Sequence, residues 1–297
     1  MKHEHDPMTA RWELPLDEHP MLEVTAEMAQ ISLVPTLVGE KPFVEAIGSD
    51  RVQVGIRAGD GVTRVHLEQD VGFFGFARNK ARIVLHVPSN VRASVRTEAG
   101  RLRAERLHGC QLTLETEAGE VQLDDVHGTM RIVTEAGKID GESLAGSFDV
   151  ATSAGAVYLD ILALDPGKHR VATSVGAVKI DLARGILVRI DARTTMGTSR
   201  VQYPSQREAP AVLAVDAEIG AIKVRESTRL GIAIDASERG PYRTVDAVEV
   251  AAPAAHAEPT PVAPEDDAQL DAILRRVAEG SLSPRDAGSL LRALGHG

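Results

Sequence analysis

Apolar and polar residues alternate through the middle of the chain, from about residue 97 to residue 245. The runs 102–104 and 157–159 place an aliphatic side chain at every second position, with a polar or aromatic residue between. Successive side chains of a β-strand point to opposite faces, so this period of two predicts strands with one buried face. One aliphatic column consists of Leu102, Val121, Ile139, Val157, Val178 and Ile222.

A glycine recurs every 18 to 23 residues in the same stretch, at the end of a four-residue segment that begins as TEAG. The glycines are Gly100, Gly119, Gly137, Gly155, Gly176, Gly197 and Gly220. This spacing is the length of one coil of a parallel β-helix, in which stacked coils bury a core that a single coil leaves exposed. The sequence therefore predicts an all-β fold, a parallel β-solenoid of coils 18–23 residues long, with the glycines above one another.

The region before the repeats shows a weaker form of the same alternation. We assign residues 1–20 to an N-terminal tail and residues 21–96 to strands or degenerate coils that cap the solenoid, whose open end is an unpaired sheet edge. Residues 97–245 form the repeats. Phe73, Phe74 and Phe76 lie close together in the capping region. They are interpreted as a plug over the first coil, and the alternative is an exposed contact patch for a partner.

The composition changes after the repeats. Residues 246–267 are rich in Ala, Pro and acidic side chains, which predicts a linker. Residues 268–297 have apolar residues at helical spacing and predict a small α-helical hairpin. Its association face comprises Leu270, Ile273, Leu274, Val277, Leu290, Leu291 and Leu294. A hairpin of this size is rarely stable alone, so we expect it to dock on a protein partner or on another copy of the chain.

The coils, the segment HVPSNVRASVRTEAG before them and the hairpin together resemble one bacterial family. It is the "putative adhesin" domain of unknown function in cell-envelope stress proteins of the LiaX and YvlB type. The coil motifs match over roughly residues 85–225, and ILRRVAEGSLSPRDAGSLLRAL is similar to a short helical module of the SHOCT type. The resemblance implies scaffolding or sensing near the envelope, and it implies no catalytic residues.

The composition indicates which classes of partner and which cellular compartment to expect. The net charge of −10 argues against nucleic acid, because phosphate binding needs a basic face. No apolar run approaches the roughly 20 residues of a membrane span, and the N-terminus lacks the apolar stretch of a secretory signal. Cys110 is the only cysteine, which excludes an internal disulfide. A cytoplasmic protein is the expectation.

One charged column recurs along the repeats. Five residues after successive glycines lie the members of an acidic ladder: Glu105, Asp124, Glu142, Asp160 and Asp181. Stacked carboxylates repel, so we expect raised proton affinity unless cations intervene. We interpret the ladder as a solvated corner relieved by neighbours such as Arg103 and Lys179. The alternative is a strip for divalent cations or a basic partner.

His108 and His127 occupy equivalent places in adjacent coils and are expected to stack. Two histidines without a third ligand seldom hold a metal, so we interpret them as turn residues and predict neither a metal site nor a cofactor.

No enzyme motif is present: the chain has no phosphate-binding loop, no GxSxG segment and no acyltransferase hexapeptide repeat. We therefore predict a non-enzymatic solenoid scaffold whose hairpin mediates self-association or partner docking. A binding module for an extended ligand, a glycan or a basic peptide, is the first alternative. A glycan-active β-helix enzyme is the second.

Overall fold

The computed structural model of the chain describes residues 9–16, 21–47, 52–69 and 82–232. The chain divides into two compact units, Met1–Pro241 and Tyr242–Gly297, and every described residue belongs to the first. The described residues contain no helix, so the prediction of an all-β fold is confirmed for them. The strands are β1 (Thr9–Glu13), β2 (Met21–Pro35), β3 (Phe43–Ile47), β4 (Val52–Gly59), β5 (Val62–Gln69), β6 (Arg82–Val87), β7 (Arg92–Leu164), β8 (Gly167–Arg184), β9 (Val188–Gln202) and β10 (Ala211–Leu230).

The repeats pair in parallel and in register, so equivalent residues of different repeats lie opposite one another. Gly155 in β7 lies opposite Gly176 in β8, which in turn lies opposite Gly220 in β10. The same register extends to β2, where Ala29 takes the glycine position opposite Gly100. The strands form one sheet in the order β1-β3-β6-β2-β7-β8-β10-β9, while β4 and β5 branch from this path.

The predicted glycine column is confirmed. A β-carbon on Gly119 would lie 1.9 Å from the carbonyl oxygen of Gly100, and one on Gly155 would lie 1.7 Å from that of Gly137. Adjacent layers therefore meet backbone to backbone at this column, so a residue there that packs on a layer as Gly119 and Gly155 do must be glycine. Three of these contacts join glycines of the single 73-residue strand β7. The chain of β7 must therefore return to the glycine column once per repeat. The closed cross-section of a solenoid stays a prediction.

The core is a continuous stack of aliphatic side chains. Val157, Val178 and Ile222 lie opposite one another in three neighbouring layers and are at most 1% exposed. A second buried column holds β-branched residues, which favour the extended backbone: Thr97, Thr116, Thr134, Thr152 and Thr173. Thin parallel layers can be filled by such side chains, which explains how the chain builds its core with few aromatic residues.

The N-terminal region adds one full layer and several shorter strands. β2 pairs with the beginning of β7, and β6 pairs in parallel with the second half of β2. β4 and β5 form a hairpin closed by Asp60 and Gly61, with φ of 54° and 73°. Positive φ at both residues is typical of a type I′ turn. The stretch assigned to an N-terminal tail contains β1, which pairs antiparallel with β3.

The last two repeats stack in the reverse of their chain order. β10 lies between β8 and β9, so Gly220 packs on Gly176 and Gly197 packs on Gly220. β9 carries small or polar residues at core positions, such as Ser199 opposite Ile222. Such residues suit a terminal layer because none of the described strands covers its second edge. Tyr203, which follows β9, holds the turn between β8 and β9, because its hydroxyl donates to the backbone oxygens of Ala183 and Ile186, at 2.9 and 3.0 Å.

Candidate functional site

The acidic ladder is a real column at the edge of the stack. The strand register places Asp160 of β7 directly opposite Asp181 of β8. The side chains of both residues are about one-fifth exposed, whereas Glu142 in the layer before them is 65% exposed. Glu105 is half-buried and Asp124 is exposed. The structure thus brings together Asp160 and Asp181, two of the carboxylates that the sequence pattern aligned.

Cations interrupt the repulsion along this column. Arg103 lies 2.6 Å from Glu105 and Lys179 lies 3.6 Å from Asp181, which are the two neighbours that the sequence pattern identified. The stronger partners come from β10. Arg225 lies opposite Asp181 in the ladder register and binds both of its carboxylate oxygens, with Nη2 at 2.7 Å from Oδ2.

A second arginine crosses several layers. The register of β10 shifts after Glu226, and the backbone of Gly231 turns to donate to Arg184. This path carries Arg229 across the column, where its guanidinium lies 2.9 Å from Asp160 and 3.3 Å from Glu142. One arginine therefore bridges carboxylates of two different layers.

Sequence reasoning missed both arginines, for different reasons. Arg225 stands five residues after Gly220, two repeats beyond Asp181, so the count assigns it to the column, but its place beside Asp181 depends on β10 lying between β8 and β9. Arg229 carries no such signal, because its place beside Asp160 depends on where β10 leaves the sheet.

Neighbouring cations lower the proton affinity of Asp181, the best-paired member of the ladder. The hydrogen bonds from Arg225 hold the pKa of Asp181 below its ordinary value of 3.8, and the charge of Lys179 acts in the same direction. Burial opposes this shift without overcoming it. The expected rise in proton affinity was conditional on the absence of cations, and at Asp181 the cations Arg225 and Lys179 are present.

This pairing predicts a pH-dependent contribution to stability. A carboxyl group whose pKa is lowered by folding stabilises the protein above its unfolded pKa and loses that effect as the pH falls through its folded pKa. We expect Asp181→Asn to lower the urea midpoint of unfolding at pH 7, and the difference from the parent protein to shrink as the pH falls below about 3.8 and to vanish below the lowered pKa of the folded state. Asp124→Asn, an exposed position of the same column, is the matched control and should change the midpoint little. An equal loss from both substitutions, or one that persists in acid, would contradict the pairing.

The ladder and β10 enclose an open groove of about 540 Å³. Its charged lining consists of Asp140, Glu142, Asp160, Asp181, Glu226, Lys179, Arg225 and Arg229. Five carboxylates against three cations leave an excess of negative charge. Tyr158 also lines the groove.

A second cluster lies at another corner of the stack. The rings of His108 and His127 stack in parallel, with centroids 4.2 Å apart and planes 9° apart, which confirms the predicted stacking. Asp125 lies between them: its Oδ1 is 3.2 Å from Nε2 of His108 and 3.4 Å from Nε2 of His127. We call these three residues the histidine corner.

The fold of the turn positions Asp125. Its φ of 54° is left-handed, and Arg106 and Ser143 adopt the same conformation at the equivalent place in the neighbouring layers. Asp tolerates this conformation better than most residues. Asp125 lies one residue after the ladder position Asp124 and therefore falls outside the predicted column. The DVH segment, 125–127, was the available signal.

Other buried reactive groups serve the structure. Burial raises the pKa of the Cys110 thiol to about 12, so the thiolate that reacts is scarce at neutral pH. Burial also lowers the pKa of His169, whose Nδ1 accepts from the backbone N–H of Phe148 at 3.3 Å. Nε2 of His169 then donates to the backbone oxygen of Asp165 at 2.8 Å. These contacts hold a neutral imidazole inside the stack.

Two predicted sites lie outside the described residues: the phenylalanines at 73, 74 and 76, and the association face of the hairpin between 270 and 294. No helix in the described part of the chain is long and apolar enough to cross a membrane.

No protein-family model matches the chain, and no curated protein matches it in sequence. Solved structures are similar at low identity. A "putative cell adhesion protein" from Clostridium sporogenes is 13% identical, with 74% of this chain and 100% of that chain covered and a TM-score of 0.40. A "putative adhesin" from Bacteroides fragilis is 13% identical, with coverage of 74% and 97% and a TM-score of 0.43. A "putative lipid binding protein" from Parabacteroides distasonis is 10% identical, with coverage of 76% and 98% and a TM-score of 0.27. Similarities this weak assign neither a family nor a function to this chain.

Proposed function

We propose that the protein is a non-enzymatic β-solenoid scaffold that binds a protein partner, or another copy of itself, through residues 268–297. The observation that carries the proposal is the in-register stack. One continuous apolar core extends from the N-terminal strands to Val224, and each repeat adds a layer to it. Such a core makes a rigid support whose surface can vary independently of its interior.

The solenoid form rests on the return of the chain to the same column. Gly100, Gly119, Gly137 and Gly155 follow one another along a single strand segment, and each packs on the one before it. A chain that comes back to one line every 18 or 19 residues while each turn pairs in parallel with the next has the path of a coil.

The pairing of the charged side chains also supports a structural role for the protein. Asp181, Asp160 and Glu105 contact arginines, and Cys110 is a buried, protonated thiol. Catalytic acids and nucleophiles are instead held close to the reacting atoms with a pKa suited to the reaction. We place the scaffold in the cytoplasm, in the service of cell-envelope stress responses, and fractionation of cells that carry a tagged full chain tests this placement.

The association role of residues 268–297 predicts a change in mass. We expect the full chain either to show, by light scattering, a mass larger than that of one chain or to recover a partner from lysate. A chain that ends at residue 245 should be monomeric and should recover no partner. The apolar face is tested directly by Leu274→Glu with Leu291→Glu in the full chain. Arg275→Glu on the same predicted helix is the control, because it keeps the apolar face.

The far-UV spectrum and the thermal midpoint of the stack should be the same in all of these proteins. Unchanged mass together with unchanged partner recovery after truncation would remove the association role.

The groove beside the acidic ladder favours a second function, the binding of an extended ligand. An excess of carboxylates together with Tyr158 suits a basic peptide, or a glycan that stacks on the ring. A ligand of this kind must compete with Arg229 for Asp160 and Glu142. Titration with poly-lysine, calcium and a glycan panel decides between the two functions. The absence of binding and of any shift in the thermal midpoint would eliminate this second candidate.

A further inference from the structure

We propose that the histidine corner binds a divalent transition-metal ion of the zinc class. The ligands are Nε2 of His108, Nε2 of His127 and a carboxylate oxygen of Asp125, and these three ligand atoms lie within 4.8 Å of one another. This site is separate from the proposed scaffold role and does not depend on it. It also replaces the interpretation of the two histidines as turn residues only, since the fold supplies the third ligand that the sequence pattern lacked.

The distances between ligands suit tetrahedral coordination. Zinc binds imidazole nitrogen and carboxylate oxygen at about 2.0–2.2 Å, so two ligands of a tetrahedral site lie about 3.3–3.5 Å apart. The two nitrogen-to-oxygen distances in the corner are 3.2 and 3.4 Å. The Asp125 oxygen and the two nitrogens therefore need only small rotations of their side chains to surround an ion.

The two rings converge on one carboxylate oxygen. Both Nε2 atoms approach the same oxygen, Oδ1 of Asp125. A metal ion accepts the lone pairs of two neutral rings and places a single positive centre beside the carboxylate.

The backbone around the corner is fixed before any ion arrives. The hydroxyl of Ser89 accepts a hydrogen bond from the backbone N–H of His108 at 2.8 Å. The thiol of Cys110 donates to the backbone oxygen of His127 at 3.4 Å. Asp125 is held in its left-handed turn by the layered structure on both sides. Ligands that are already in place lose little conformational freedom on binding, which favours affinity.

The ligand set is confined to one pair of layers. The residue eight positions after the repeat glycine is His108 in one layer and His127 in the next, but Ala145 in the layer after that. The left-handed corner position is Asp125 in one layer, and Arg106 and Ser143 in its neighbours. Although the three layers share one backbone geometry, two histidines and an aspartate meet at only one corner among them.

The chemistry of the ligands defines the class of ion. Imidazole nitrogen suits zinc, copper, nickel and cobalt, whereas calcium and magnesium require mostly oxygen ligands. Three protein ligands leave one tetrahedral position for water or for a group from a partner. The corner can be reached from solvent, because the side chains of His108 and Asp125 are 42% and 40% exposed.

The test is zinc binding by the full chain after removal of metal with a chelator. His3 and His5, outside the described residues, form a second possible zinc-binding segment, so His3→Gln and His5→Gln are introduced into every protein compared. Calorimetric titration with zinc chloride is followed by cobalt substitution, in which tetrahedral coordination gives an intense visible absorption. In this background we expect one zinc per chain, a rise in the thermal midpoint with added zinc, and the tetrahedral cobalt spectrum.

Three variants make the result specific. His108→Ala removes an exposed ligand, and Asp125→Asn removes the anionic ligand while keeping a residue that tolerates the turn. We expect each to weaken zinc binding about tenfold or more and to abolish the cobalt spectrum. His66→Ala is the control, because His66 contacts Glu68 at 3.1 Å in a comparable exposed pair and does not belong to the corner.

Circular dichroism without metal checks that the variants keep the fold. The proposal is overturned if zinc binds the background protein no more tightly than it binds His108→Ala. It is equally overturned if calcium or magnesium binds the corner as tightly as zinc.

Discussion

Gly155→Ala is expected to destabilise the stack by about 4 kcal/mol or more, because two separate penalties add. A β-carbon at this position would lie 1.7 Å from the carbonyl oxygen of Gly137 in the adjacent layer, and φ is +153°. The clash is with backbone, which cannot rotate away as a side chain can. Relief requires the two layers to separate, which breaks the parallel pairing that holds them. Urea unfolding followed by circular dichroism measures the loss.

Gly167→Ala separates the two penalties. Gly167 also has positive φ, +131°, but a β-carbon there meets no atom within 4 Å. This substitution carries only the conformational strain, so we expect a loss of about 1–2 kcal/mol. The difference between the two variants then measures the close approach of the layers. Equal losses would mean that the glycine column is not a line of backbone contact.

The second large effect is expected from Val157→Asp. Val157 is fully buried and lies opposite Val178 in the next layer. A carboxylate there has neither water nor a cation beside it, so we expect a loss of several kcal/mol, of the order of 3–5. Because each layer is covered by its neighbours, the damage should spread to the adjacent strands. Hydrogen exchange should show lost protection in β8 as well as in β7.

Val175→Asp is the matched control for this substitution. The same change of side chain occurs in β8, but Val175 is 50% exposed, so the new carboxylate stays hydrated. We expect a change within about 0.5 kcal/mol. A comparable loss at both positions would contradict the assignment of the inner and outer faces of the stack.

The acidic ladder and the histidine corner differ in how much of each could be predicted from the sequence. The acidic ladder follows from counting five residues past each glycine, because parallel in-register pairing converts a sequence period into a spatial column. The same count assigns Arg225 to the column, but only the reversed order of β9 and β10 brings it opposite Asp181. The histidine stack follows in the same way. The positions of Asp125 and Arg229 follow only from the tertiary structure. Asp125 is placed by a left-handed turn, and Arg229 is placed by the point at which β10 leaves the sheet.

The sequence by itself determined the all-β class, the buried and exposed columns and the glycine contact line. These features depend on local alternation and on one repeat length, and both are written along the chain. Only the tertiary structure decided the reversed order of β9 and β10, the approach of Arg225 and Arg229 to the acidic ladder and the meeting of Asp125 with the two histidines. The physical reason is that a periodic pattern defines which positions are equivalent, whereas the order of layers and the contacts at their corners depend on packing between segments that are distant along the chain.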